Sequence, residues 1–234
     1  MYITSVNVIP AFIERDTMCE RFTLNIPQEV IGKIFDLPEV PQIEPRYNIA
    51  PGQAVAVVRQ IADHNKLDFL KWGLLPEMSS DAIGASGTFS SETVRENSAF
   101  HSITANRCII PASGFYKWLP MDNHEQPHYI RLLNSSMLGF AGLWGKLTDE
   151  DGTESDTCCI ITTEANEIIK PINDRMPLIL QPEDYHLWLD RNVQDPHELQ
   201  RLYQPFPSDL MVAYLVPDLV NNLRFDSASC IVQV

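Results

Sequence analysis

Basic residues are scarce in this chain: 17 Lys and Arg stand against 31 Asp and Glu, a formal net charge of −14 over 234 residues. Broad nucleic-acid binding depends on Lys and Arg that neutralise phosphates. The balance therefore argues against a general DNA- or RNA-coating protein, while leaving room for one small basic site. No apolar run approaches the roughly 20 residues that a membrane-crossing helix needs. The opening MYITSVNVIPAFIERDT lacks a basic start and an unbroken apolar stretch, so it does not read as a signal peptide, and the expected location is cytoplasmic. Cysteines number only five (Cys19, Cys108, Cys158, Cys159 and Cys230), an odd count without metal-type spacing. All except Cys19 read as small, reduced core residues. The six histidines show no ligand spacing either, so neither a metal nor another cofactor is expected.

What the chain does contain is strand signal. Hydrophobic residues make up 44% of it, enough for one sizeable core. Runs at 54–60 (AVAVVRQ), 67–75 (LDFLKWGLL), 108–119 (CIIPASGFYKWL), 128–133 (HYIRLL), 137–147 (MLGFAGLWGKL), 157–163 (TCCIITT) and 211–216 (MVAYLV) read as strands, being rich in β-branched and aromatic residues. Three short helices are expected. Residues 27–36 open on a proline suited to a first turn, Ser91 is placed to cap ETVREN, and 182–190 (PEDYHLWLD) carries early acids before a Leu-Trp face. The small, polar stretch 79–91 reads as a loop. With no internal repeat and no linker, the chain reads as one α+β domain over residues 18–234, behind an N-terminal extension of residues 1–17.

Five blocks are more particular than generic strand: MCERF at 18–22, RYNIAP at 46–51, KWGLLP at 71–76, RCIIPASGFYKW at 107–118 and INDRMPLIL at 172–180. In that order and spacing, from Met18 to about Val220, they resemble the SOS-response-associated peptidase family, whose members process abasic sites in single-stranded DNA. The resemblance implies a single domain with a branched mixed β-sheet curled into a pseudo-barrel and short peripheral helices. It also implies a chemistry. Family members begin at the cysteine exposed by methionine removal, and Met18-Cys19 matches that pair, which leaves residues 1–17 outside the resemblance. An α-amine, with an ordinary pKa of about 7.7–8.0, condenses with the ring-opened aldehyde of an abasic site. The neighbouring thiol then closes on the imine to give a thiazolidine. If translation starts at Met1, that nitrogen is tied up in a peptide bond and the ring cannot close.

Carried over position by position, the resemblance places Cys19, Lys117 and Asn173 in the catalytic set and Arg21, Thr88, Ser90 and Glu92 in the DNA-contacting set. Four of these depart from the family pattern. Its Asn-Ala-Arg-x-Glu motif falls on residues 88–92 with only the acid kept, its glutamate between two aromatics falls on Lys117, and its histidine falls on Asn173. Asparagine cannot shuttle a proton near neutral pH, and serine cannot hold a phosphate bidentately as arginine does. Two function classes follow: a crosslinker of abasic single-stranded DNA with a degraded active site, or a non-catalytic member of the same fold that binds another ligand or partner. The net charge implies that any DNA is held weakly. Lys117 reads either as a surface lysine on an edge strand or as a desolvated amine able to form a Schiff base. Glu92 reads equally as a first-turn helix acid, Asn173 as a turn residue, and Trp72, Trp118 and Trp144 as core.

Overall fold

The computed structural model describes residues 21–73, 87–96, 105–148, 151–193 and 195–234. Strand β3 (Ala54–Ile61) is apolar and β-branched on both faces, and it is buried continuously from Val55 to Arg59. It pairs with β4 (His64–Trp72) in unbroken antiparallel register, from Ala54↔Lys71 to Ile61↔His64. Their tight turn takes Ala62 to a positive φ of 51°, the handedness that short hairpins demand. Strands β6 (Arg107–Ala112), β9 (Leu138–Thr148) and β10 (Glu154–Glu164) extend this sheet. A short parallel pairing of β10 with β4 (Thr157↔Lys71, Cys158↔Trp72) then closes β4-β3-β6-β9-β10 into a five-stranded barrel.

The barrel branches where β9 and β10 part. They pair from Glu154↔Thr148 to Ile160↔Gly142, and beyond that point residues 175–180 enter between them. Within that wedge, β11 (Arg175–Pro177) pairs with the end of β10 and β12 (Ile179–Leu180) with the start of β9. Leu178 joins both sides, its N–H donating to the Ile161 carbonyl and its carbonyl accepting from Ala141, each at 2.8 Å. On the opposite edge of β10, β5 (Thr88–Ser90) adds in parallel beyond β4. The expected loop at 79–91 thus contains this strand and the first residue of α2 (Ser91–Glu96), while residues 79–86 lie outside the described residues. A three-residue strand has too little sequence to show a period, and β10 supplies its hydrogen bonds.

Strands β1 (Phe22–Leu24), β2 (Arg46–Ile49), β7 (Gly114–Pro120), β8 (Glu125–Leu132) and β13 (Met211–Leu215) form a second sheet, ordered β13-β8-β7-β1-β2. The chain crosses from β6 to β7 through the single residue Ser113, which locks this sheet onto the barrel. Between the two, Phe22 and Phe115 meet Phe140 edge-on at centroid distances of 5.8 and 5.9 Å, and Phe22 lies 5.2 Å from Trp72. Such pairs contribute about 0.5–1.5 kcal/mol each beyond area burial.

On the sheet's outer face Tyr116 and Tyr129 are covered by Val216, Val220 and Cys230 of the C-terminal segment. Asn48 holds that segment down, its amide donating to the carbonyls of Val220 (3.1 Å), Asn222 (3.3 Å) and Phe225 (2.9 Å). Asp226 completes the clamp by accepting from the backbone N–H groups of Tyr47 and Asn48 and from the Arg46 guanidinium. Helices are short and peripheral. α1 (Gln28–Phe35) starts after Pro27 and buries Ile31 and Phe35. Residues 182–190 begin as a 3-10 turn (Pro182–Asp184) and become helical over Tyr185–Leu189. The result is a single α+β domain, a branched mixed sheet curled into a pseudo-barrel.

Candidate functional site

Strand alternation along β7 sends Tyr116 and Trp118 to the outer face and Phe115 and Lys117 toward the barrel. Lys117 is consequently buried, 2% exposed, on a strand flanked by β8 and β1. This corrects the view of it as a surface lysine on an edge strand: β7 is interior, and the barrel packs against its inner face. The Lys117 Nζ donates to Asn173 Oδ1 at 2.9 Å. The same Oδ1 accepts from the Arg175 backbone N–H at 2.9 Å, an Asx turn that shapes the loop entering the wedge. Asn173 is therefore both a turn residue and a partner of Lys117.

Arg175 carries the network onward. Its guanidinium grips Glu92 with two bonds, 3.2 and 2.9 Å, and donates to the Thr162 carbonyl at 2.9 Å. Glu92 lies in the first turn of α2, and the helix is capped by Ser90, not Ser91: Ser90 Oγ accepts from the Thr93 N–H at 3.0 Å. Thr88 is fully buried in β5. Burial pulls the Glu92 carboxyl upward, but the bonds from Arg175 and from its own N–H, with the Arg175 charge and the Ser90 hydroxyl, outweigh it and hold the group at about 2, below the ordinary 4.5. A depressed carboxylate contributes stability that is fully present above its unfolded pKa and lost as pH falls through its folded one. The stability gap between wild type and Glu92→Gln, measured by urea unfolding, is therefore expected to be constant above about pH 4.5 and to close as pH falls toward about 2. A gap unchanged across that window would show that the pair does not couple to folding.

Arg21 occupies the other face of the second sheet. Its guanidinium carbon lies 5.9 Å from the Trp118 ring centroid, and Nη1 donates to Asn48 Oδ1 (2.9 Å) and to the Val220 carbonyl (2.8 Å). The structure thus links Lys117, Asn173, Arg175 and Glu92 through one chain of bonds at the seam between barrel and second sheet, and ties Arg21 into the Asn48 clamp. Cys19, with Met18 and residues 1–17, lies outside the described residues. The four described cysteines, Cys108, Cys158, Cys159 and Cys230, are buried and reduced. Burial pushes the thiols of Cys108 and Cys158 well up and that of Cys159 to about 12, so these three are poor nucleophiles. Trp72 is core, 1% exposed, its indole N–H bonded to the Gly87 carbonyl at 2.9 Å, whereas Trp118 and Trp144 are half-buried.

His128 carries no motif signal, yet the fold places it in this site. β8 pairs with β7 so that Lys117 and His128 are direct cross-strand partners. Residues so paired share a face, with Cβ atoms roughly 4.5–5.5 Å apart. The His128 Nδ1 lies 3.1 Å from the Gln126 carbonyl. A carbonyl only accepts, so the proton of the neutral ring sits on Nδ1 and leaves Nε2 as the basic nitrogen. Only the register of the 114–132 hairpin, set by its turn at 121–124, could have disclosed this neighbour. Among the described residues no group of three or more His, Cys, Asp or Glu gathers to hold a metal ion, and no helix is long and apolar enough to cross a membrane.

This architecture is that of known proteins. A crystal structure of a protein from Bacteroides thetaiotaomicron superposes with a TM-score of 0.75 at 21% identity, covering 92% of this chain and 100% of that one. In sequence the chain is 38% identical over 221 residues to the abasic site processing protein YoqW of Bacillus subtilis, covering 92% of this chain and 99% of that relative. It is 29% identical over 183 residues to the abasic site processing protein YedK of Escherichia coli, covering 75% and 81% of the two chains. The model of the SOS response associated peptidase (SRAP) family matches residues 18–223. With relatives matched nearly end to end and the family model covering most of its length, the chain belongs to the SRAP family.

Proposed function

We propose that this chain processes abasic sites in single-stranded DNA, attaching covalently through Cys19 when that residue is the N-terminus. The observation that carries the reading is the 38% identity, over 92% of the chain, to a relative named for abasic-site processing. Met18-Cys19 at the start of the family match supports it. In the attachment the Cys19 α-amine adds to the aldehyde carbon, water leaves to give the imine, and the thiol adds across the C=N bond to close the ring. Lys117 and Asn173 fill the seam with an amine and an amide, so the proton transfers lack a carboxylate–imidazole pair and run slowly.

The test uses a chain beginning at Cys19, a single-stranded oligonucleotide with one abasic site, and a denaturing gel. A heat-stable adduct is expected to accumulate slowly and to vanish in Cys19→Ser. Binding to an intact strand is expected to be weak at physiological salt. Each phosphate contact adds only about 0.7 to the salt slope, and few basic groups are present to supply contacts. Absence of any adduct, together with no preference for abasic over intact strands, would favour the non-catalytic binding member instead.

A further inference from the structure

We propose that Lys117 and His128 form an amine–imidazole pair that captures an aldehyde carbon as an imine, a second covalent centre separate from Cys19. The aldehyde class rests on the function proposed above; the pair itself rests on the register of β7 and β8. Lys117 and His128 face each other across that ladder. Asn173 Oδ1, fixed in turn by the Arg175 N–H, orients the Lys117 amine at 2.9 Å. The Gln126 carbonyl sets the His128 tautomer that leaves Nε2 basic. Lys117 is covered, whereas Asn173 and His128 are each half-buried. The amine is therefore shielded from bulk water, while the two polar groups beside it are partly open.

The step balances without any oxidant or reductant. His128 Nε2 takes a proton from the Lys117 ammonium, and the freed lone pair adds to the aldehyde carbon, forming a C–N bond. One N–H proton of the newly attached nitrogen passes to the carbonyl oxygen, giving a neutral carbinolamine. The imidazolium then returns its proton to the departing hydroxyl, water leaves, and a C=N bond remains. Hydrolysis reverses the sequence, so the attachment does not survive heating unless it is reduced. The α-amine of residue 19 takes no part, so the pair operates whether or not that nitrogen lies in a peptide bond.

The experiment incubates the full-length chain with sodium cyanoborohydride and either of two probes, an abasic single-stranded oligonucleotide or free 2-deoxyribose. The reduced adduct is then located by peptide mass spectrometry. The expected result is modification of Lys117 by both probes, with nothing heat-stable when cyanoborohydride is omitted. Lys117→Arg should remove that adduct. His128→Gln should slow its formation about 10²-fold, the lower end of what general acid–base help supplies, and added imidazole should restore part of the rate. Adducts confined to Cys19 or to other lysines, or none with either probe, overturn the inference. Because the adduct is mapped in the wild-type chain, the outcome does not depend on how the variants fold. If deoxyribose labels Lys117 but abasic DNA attaches nowhere, the pair stands and the DNA reading falls. Attachment of DNA at Cys19 alone has the opposite meaning.

Discussion

Replacing Lys117 by glutamate and Asn173 by histidine, in a chain beginning at Cys19, is expected to raise the rate of heat-stable attachment to abasic DNA by about 10²–10⁴-fold, or about 3–5 kcal/mol of barrier. The two positions already meet through a 2.9 Å bond, so a carboxylate and an imidazole installed there stand within reach of each other. The single changes should do far less. Lys117→Glu alone sets a buried carboxylate against Asn173 Oδ1, another acceptor, and turning the amide to offer its NH2 breaks the bond from the Arg175 N–H. Neighbours that share a bond are expected to be non-additive, with the double variant gaining more than the sum. Single-turnover gel kinetics of wild type, both singles and the double measure this directly. A double variant no faster than wild type would mean that residues 117 and 173 do not serve the proton transfers of Cys19.

Gly114→Ala is expected to destabilise the fold by about 3 kcal/mol, the upper part of the overpacking range. An added Cβ would stand 2.4 Å from the Tyr129 ring carbon and hydroxyl and 2.6 Å from the Ile130 carbonyl oxygen. Neither gives way easily. Tyr129 is bonded to Thr23 Oγ1 at 2.7 Å and packed 5.1 Å from the Tyr116 ring, and the Ile130 oxygen belongs to the β8 backbone. For a chain of this size each kcal/mol moves Tm by about 2–4 °C, so a fall of about 6–12 °C is expected by calorimetry. Gly73→Ala is the control, since among the described residues nothing lies within 4 Å of its added Cβ, and its Tm should stay close to wild type. An unchanged Tm for Gly114→Ala would show that β7 and β8 can separate freely.

The long strands are legible in the amino-acid order because each buries enough β-branched and aromatic side chains to show itself. All seven expected runs contain strand, and 108–119 contains two, divided at Ser113. The three-residue pieces β1, β5 and β11 are not legible, since they exist only because a neighbouring strand offers unpaired backbone groups. The cap of α2 falls one residue before its expected place because Ser90 and Ser91 are chemically identical, and only the backbone decides which hydroxyl meets the Thr93 N–H. In the site, the FYKW and INDRMP blocks locate Lys117 and Asn173, but their joining bond spans 56 residues and is a product of the fold. His128 is invisible for the same reason. A histidine inside PHYIRL looks like any half-buried strand residue until its partner across the ladder is known.

The clamp at Asn48 has a consequence for where this protein can be cut. The family-model match ends at residue 223, yet Arg46, Tyr47 and Asn48 are satisfied by Phe225 and Asp226, and Cys230 lies over the tyrosines of the outer face. The folding unit therefore extends beyond the residues that the family model matches. A truncation drawn at residue 223 would strip acceptors from the RYNIAP block and open an aromatic face to water. Those last residues, undistinguished as sequence, belong to the minimal folding unit.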